Sequence, residues 1–200
     1  TRLGFSTGII YASNTLTRED YPIVISIEPD GRFEAEIPMI MPSYTSAVFN
    51  EQQSVPFYLE PGQTLCMILD WEEFLIADRK RNTRYNFNRI EYRGALATLN
   101  SELLACPNPQ INFNYKLFDK KTKTMSPLDF KADQMTEYDK NLLQYKEYIQ
   151  KHHLSEKAKA IYHNRIMLAN ANTLFNYTTS RDYYARQDST NKVLKMSIPV

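Results

Sequence analysis

The sequence has little glycine, little proline and almost no net charge, and each shortage excludes a class of protein. Only 5 of the 200 residues are glycine and 10 are proline, which excludes collagen-like and low-complexity chains. The 24 Lys and Arg residues are balanced by 23 Asp and Glu residues, so the net charge of +1 gives no overall attraction to nucleic acid or anionic membranes. No apolar run approaches the roughly 18 residues of a transmembrane helix. We therefore expect no nucleic-acid partner and no transmembrane segment.

The motifs of the familiar catalytic classes are missing as well. The sequence contains neither a glycine-rich phosphate loop nor the G-x-S-x-G motif of serine hydrolases. The two cysteines, Cys66 and Cys106, lie far apart, so this sequence has no C-x-x-C dithiol of the thioredoxin type. We expect no catalytic residue, no cofactor, no cofactor-binding residue and no metal ligand, and we do not interpret this segment as an enzyme.

Hydrophobic and aromatic residues are plentiful, at 42% and 12% of the chain, so a globular core is expected. The first 92 residues consist of short runs with the period-two alternation of β-strands. A strand over 21–28, a turn at Gly31 and a strand over 32–37 are predicted to form a hairpin. The apolar run 64–70 predicts a strand at the centre of a sheet. About seven strands at this spacing predict an antiparallel β-sandwich.

Helical spacing replaces this alternation after residue 92. Leucines at i, i+3 and i+7 predict an amphipathic helix over 93–106 that packs on the sheet. The segment 107–127 alternates again around Phe113 and Tyr115, which favours an extended piece, with a solvated basic loop at Lys120–Lys123.

Two longer helices are predicted in the second half. Ser126 precedes a proline at the first helical position, and apolar residues then recur every three or four positions to about His152. Ser155 offers a second cap for a helix to about Tyr177, and the short break between them predicts an antiparallel αα-hairpin near 127–178. The predicted fold class is α+β, with a β-sandwich domain and packed helix at 1–106 and a mainly helical segment at 107–200.

The two thiols have different predicted environments. Cys66 lies within an apolar strand, which favours a buried and unreactive thiol. Cys106 ends a helix just before Pro107, which favours exposure. A disulfide between Cys66 and Cys106 remains an alternative for a protein in an oxidising compartment.

Three further groups allow a functional and a structural interpretation. Trp71, Tyr85, Phe87 and Tyr92 fit an aromatic platform for sugar or peptide, but aromatic residues at strand positions more often pack in a core. Glu72-Glu73 resembles a solvated turn rather than a converging catalytic pair.

The histidines lie in the helical half. His152 and His163 face each other across the predicted turn in a way that allows a metal site, but histidines at a helix end more often interact with the helix dipole. We favour the dipole interpretation.

Three phrases of the sequence occur in an order typical of one protein family. They are PDGRF at Pro29–Phe33, VPFYLEPGQTL at Val55–Leu65 and YRGALATLN at Tyr92–Asn100. In this order the chain resembles the N-terminal region of secreted TlpA/ResA-like thiol–disulfide oxidoreductases of Gram-negative bacteria. The phrases span residues 29–100, about a third of the chain, and the order of elements covers all of it.

The resemblance implies a β-sandwich and a helical segment that precede a thioredoxin-fold domain carrying the C-x-x-C motif. No residue here matches that dithiol, so no redox role is assigned to any position. The implied role is a noncatalytic accessory or interaction region in the periplasm or cell envelope, with a C-terminal thioredoxin-fold domain and envelope proteins as partners and a homodimer left open. We expect a piece of a longer product without its secretion signal, although the ends alone fit a complete domain equally well.

Two other functions stay open at this point. The first is a stand-alone envelope protein that binds peptide or glycan through the aromatic platform. The second is an unrecognised hydrolase, which would need a perturbed acid or histidine in an apolar cleft.

Overall fold

A computed structural model of the chain describes residues 6–14, 17, 19–49, 53–79, 85–108, 113–188 and 190–196. The fold is mixed α+β with antiparallel sheets, and the chain divides into two compact units, Thr1–Ala105 and Cys106–Val200.

The first unit contains a four-stranded antiparallel sheet. Its strands are β1 (Thr7–Asn14), β2 (Glu19–Ser26), β3 (Ser43–Phe49) and β4 (Gln53–Leu59), in the spatial order β2-β1-β3-β4. Ile10 lies opposite both Ile23 and Ala47, which places small and branched apolar side chains on one face. This face is half of the hydrophobic core.

A two-stranded sheet and two helices complete this unit. They are β5 (Cys66–Leu69), α1 (Trp71–Arg79), β6 (Ile90–Arg93) and α2 (Ala97–Ala105). Phe49 of β3 meets Phe74 of α1 edge to face, with ring centroids 5.7 Å apart, and Phe74 contacts Phe87 at 4.7 Å. These rings join the two sheets and α1 in one hydrophobic core.

The predicted hairpin of strands 21–28 and 32–37 is wrong in its pairing. The turn itself forms, because Gly31 has a φ of +90° and its N–H donates to the Glu28 carbonyl at 2.8 Å. Beyond it only one bridge forms, between Ile27 and Phe33, and β2 pairs instead with β1 over eight residues. The alternation over 32–37 correctly predicts which side chains are covered. Its apolar residues pack against the core, and its charged residues are exposed to solvent.

The strand predicted at 64–70 is not central. It is the short β5, whose only strand partner in the described chain is β6. Alternate residues, Cys66 and Ile68, are exposed. The continuous apolar run predicted a strand buried on both faces, but only one face is covered. Hydrophobicity alone does not show whether one face or both faces of a strand are buried.

The second unit contains three helices, α3 (Tyr115–Thr124), α4 (Pro127–Lys151) and α5 (Glu156–Gln187). Ser126 and Ser155 cap α4 and α5 by accepting the N–H of Asp129 and Ala158, as the sequence predicts. The predicted end of α4 at His152 is also observed, but α5 continues ten residues past Tyr177.

The extended piece predicted within 107–127 is wrong for its described part. Asn114 accepts the N–H of Leu117 and starts α3, and Phe118 and Thr122, one turn apart, are buried. The basic run Lys120–Lys123 is therefore helical rather than a loop. Ile111, the first residue of the predicted alternation, lies outside the described residues.

Aromatic contacts join the three helices. Tyr148, late in α4, contacts Tyr162, early in α5, and Phe130, early in α4, stacks on Tyr177 with ring centroids 3.9 Å apart. Phe118 of α3 meets Phe130 edge to face. Within the described part of the chain, no helix is both long and apolar enough to cross a membrane.

A buried arginine holds the segment after α5. The Arg181 side chain is 2% exposed and donates to the Tyr177 hydroxyl at 3.0 Å, to the Val193 carbonyl and to the Met196 carbonyl at 2.9 Å. Leu194 is buried beside this network. The two main-chain carbonyl groups accept hydrogen bonds from the guanidinium, which would be costly to bury without such partners.

Candidate functional site

One polar constellation of the first unit joins the sequence phrases 55–65 and 92–100. The Asn100 side chain, 1% exposed, accepts the Tyr58 N–H at 2.6 Å and donates to the Tyr58 carbonyl at 2.9 Å. It also donates to the Leu96 carbonyl at 3.0 Å. One amide therefore pairs both main-chain groups of a residue on β4, as a neighbouring strand would do. This clamp covers part of an outer strand of the sheet that would otherwise offer free hydrogen-bonding groups.

Two more contacts link the same phrases. The buried Tyr92 hydroxyl donates to the Pro56 carbonyl at 2.6 Å, and burial raises the pKa of Tyr92 far above its usual range. Gly94 has a φ of +103°, and a Cβ there would lie 3.0 Å from the Thr64 carbonyl oxygen. A side chain at Gly94 would therefore be strained twice, by backbone conformation and by close approach.

A buried carboxylate forms the second constellation. Glu73 lies in the first turn of α1 and is 0% exposed, so the solvated turn predicted for Glu72-Glu73 is wrong for Glu73, whereas Glu72 is exposed. Its oxygens accept the main-chain N–H groups of Asn88 at 2.8 Å and Arg89 at 3.0 Å, and the Tyr85 hydroxyl at 3.3 Å. Three donors satisfy this carboxylate, which fixes the segment that leads into β6.

The rim of this constellation is charged and exposed. Asp70 accepts the Glu72 N–H at the start of α1 and pairs with the Arg89 guanidinium at 2.9 Å. The hydrogen bond from Arg89, followed by the one from Glu72, lowers the pKa of Asp70. Partial burial and then the Glu73 carboxylate raise the pKa of Tyr85. These groups hold one another in place, and the Glu73 carboxylate faces donors rather than an open cleft.

The aromatic residues considered for a platform do not share one surface. Phe87 and Tyr92 are 3% and 6% exposed and lie in the core, while Tyr85 is half-buried against Phe87. Trp71 is half-buried at the start of α1. Phe87 and Tyr92 therefore pack in the core and do not form part of a ligand platform.

Both predicted thiol environments are reversed. Cys66 is exposed on β5, and its partner in register is Arg93 of β6. Cys106 is buried against Tyr162 and Ile166, and burial together with nearby groups raises the pKa of Tyr162 to about 12. Neither cysteine forms a disulfide, and the two belong to different compact units. Each unit therefore contains one cysteine, and neither unit by itself holds the paired dithiol that exchange chemistry uses.

The histidines surround the junction of α4 and α5. His152 and His153 are exposed, and His152 stacks on Tyr148 with ring centroids 4.1 Å apart. His163 is half-buried and contacts the Tyr145 ring at 5.4 Å. Among the residues that the structure describes, no three His, Cys, Asp or Glu side chains converge in a way that would hold a metal ion.

Sequence reasoning missed Glu73 and the clamping role of Asn100, although Asn100 ends one of the quoted phrases. The sequence indicates the role of Asn100 only in part. An asparagine on the apolar face of α2, among Leu96, Leu99 and Leu103, needs polar partners when the helix packs down. Which main chain supplies them depends on tertiary structure.

Compared with protein-family models, curated proteins and solved structures, the chain matches none of them. Function therefore rests on the residues described above.

Proposed function

We propose that this chain is a noncatalytic accessory or interaction region of an envelope thioredoxin-like thiol–disulfide oxidoreductase, whose C-x-x-C domain lies outside these 200 residues. The observation that carries the proposal is the set of contacts between the phrases 55–65 and 92–100, which made the chain resemble the TlpA/ResA-like family. Asn100, Tyr92 and Gly94 all contact the earlier phrase. Because the residues of the two phrases contact one another, they support the resemblance more specifically than residues scattered over the surface would.

A finer fold belongs to the same proposal. We propose that the first unit is a β-sandwich in which the four-stranded and two-stranded sheets enclose the aromatic core, and that α4 and α5 form an antiparallel hairpin. The shared core of the two sheets supports the sandwich. The pairing of Tyr148 with Tyr162 and of Phe130 with Tyr177 supports the hairpin, since late residues of one helix contact early residues of the next.

The environment of the thiols supports a role without catalysis. A thiol that catalyses disulfide exchange in the thioredoxin manner needs a stabilised thiolate and an accessible, nearby resolving thiol. Cys66 is accessible but has Cys106 in another unit, and Cys106 is buried among aromatic rings. The role that suits such a scaffold is to position a reactive domain and its envelope substrates in the periplasm or cell envelope.

The reading frame beyond Val200 tests the proposal. We expect a thioredoxin-fold domain with a C-x-x-C motif to follow in the same frame, and a secretion signal to precede Thr1. A stop codon directly after Val200 would refute the link to an oxidoreductase.

The alternative, a stand-alone envelope protein that binds peptide or glycan, would need a surface other than the aromatic platform, because Phe87 and Tyr92 are in the core. Thermal shift measurements with peptides and oligosaccharides distinguish the two functions. A ligand at 100 times its Kd stabilises a protein by about 2.7 kcal/mol, and we expect no such shift.

A further inference from the structure

The four-stranded sheet has one face in the core and one face outside it. Ile10 and Ala47 belong to the hydrophobic core of the first unit. Successive residues of a strand point to opposite faces, so their neighbours Ile9 and Val48 lie on the other side of the sheet. We call this side the outer face of the sheet.

The outer face carries more apolar residues than contact with water explains, since a solvated sheet face is normally polar. Its apolar members are Ile9, Tyr11, Pro22, Val24, Val48 and Pro56. The other described strand residues of this face are serine, threonine and tyrosine, so none of them is charged, although charged residues make up 24% of the chain. The face ends at the buried Tyr58 of β4, and the register pair Ser13 with Asp20 lies beyond the side chains that the structure describes.

The apolar residues of the outer face are contiguous and accessible. Ile9 lies opposite Val24 on one side and Val48 on the other, and Tyr11 lies opposite Pro22. Val24 and Tyr11 are 62% and 55% exposed, Pro22 is exposed, and Ile9 and Val48 are half-buried. A contiguous apolar patch of this kind, unlike single exposed apolar residues, marks an interaction surface.

We propose that the outer face of the sheet binds a second copy of this chain, so that two sheets pack face to face about a two-fold axis. A two-fold interface requires a patch that is complementary to itself. The central row Val24, Ile9, Val48 has the same residue types in both directions across the sheet. With a two-fold axis through Ile9, along the strands or across them, each valine of one copy therefore meets a valine of the other.

The size of the outer face also agrees with a second copy. Four strands of seven or eight residues, about 4.8 Å apart with a rise of about 3.4 Å, outline a surface of about 450 Å². Two copies cover about 900 Å² in outline, and projecting side chains such as Tyr11 bring the buried accessible area to about 1,000 Å², where specific interfaces begin.

Charge favours self-association as well. In a two-fold contact any charge near the axis faces its own sign, and none of the described residues of the outer face is charged. The inference does not depend on the proposed redox role.

Sedimentation velocity of the full chain tests the proposal, in reducing buffer so that the exposed Cys66 cannot link two chains. We expect a dimer at about 50 μM. Val24→Lys brings like charges into the two-fold contact and should raise the dimer Kd at least about 100-fold. Its matched control, Ile40→Lys, adds the same charge outside the strands at a residue that is 60% exposed, and should leave the dimer Kd unchanged.

A second variant adds no charge. Tyr11→Ser removes the largest exposed side chain of the face and should raise the dimer Kd at least about tenfold. Urea unfolding followed by Trp71 fluorescence shows whether the first unit of each variant is folded. Val24 lies on the edge strand β2, where an exposed lysine is compatible with a folded sheet.

A wild-type chain that is monomeric at about 200 μM would overturn the proposal and leave the outer face to a different partner. A folded Val24→Lys chain that remains dimeric, or an Ile40→Lys chain that dissociates equally, would overturn it as well. If Val24→Lys does not fold, an unchanged dimer Kd for Tyr11→Ser overturns it.

Discussion

Removing the Asn100 clamp should destabilise the first unit strongly. In Asn100→Ala the Tyr58 N–H and carbonyl lose their partner at a residue that is only 5% exposed. The loss of a buried hydrogen-bond partner costs about 1–3 kcal/mol for each of these two groups, so we expect a loss of about 2–6 kcal/mol in the free energy of unfolding. Asn100→Leu retains side-chain bulk without hydrogen bonds, and we expect a loss in the same range, which separates the hydrogen bonds from the cavity.

Trp71 makes this measurement specific, because it is the only tryptophan of the chain and lies in the first unit. Urea unfolding followed by its fluorescence gives the midpoint and slope for that unit. The control is Thr98→Ala, an exposed position of the same helix, for which we expect a change within about 0.5 kcal/mol. A change of less than about 0.5 kcal/mol for both Asn100 variants would refute the reasoning.

The remaining predictions concern the carboxylate, the buried arginine and the thiol. Glu73→Gln replaces one acceptor oxygen with a donor and should lower the stability of the first unit by about 2 kcal/mol in the same urea assay, with Glu72→Gln neutral; equal effects would contradict the role of the Glu73 carboxylate in fixing the segment before β6. Arg181→Met should release the segment after α5 and speed tryptic cleavage after the exposed Lys192 at least tenfold, and unchanged cleavage would show that the guanidinium does not hold that segment. Cys66 should react with a thiol reagent in the folded chain, and the second thiol only after denaturation; two fast thiols would contradict the observed burial.

Local signals explain most of what the sequence predicted correctly. Ser126 and Ser155 were identified as caps because an N-cap is satisfied within three residues. Gly31 was placed in a turn, and it has a positive φ. None of these features needs knowledge of distant parts of the chain.

Two predictions that depended on distant neighbours, one on strand pairing and one on the thiols, were wrong. The pairing of β2 went to β1 rather than to the segment after the turn, because eight paired residues outweigh the single bridge of Ile27 with Phe33. Whether Cys66 or Cys106 is covered depends on which elements pack there, and apolar sequence context favoured the wrong one.

The same contrast between local signals and distant neighbours applies to Glu73 and Asn100. Glu73 follows another glutamate, and such a pair is typical of a solvated surface. Only the fold brings Asn88 and Arg89 to it with two main-chain N–H groups. Asn100 was noticed as part of a phrase, but its partner lies 42 residues earlier.

Reduction of insulin disulfides tests the central claim most directly, measured for residues 1–200 and for the complete product of the same reading frame. We predict turnover by the complete product and none by residues 1–200, whose two thiols lie in separate units. Thioredoxin-like turnover by residues 1–200 alone would contradict the account.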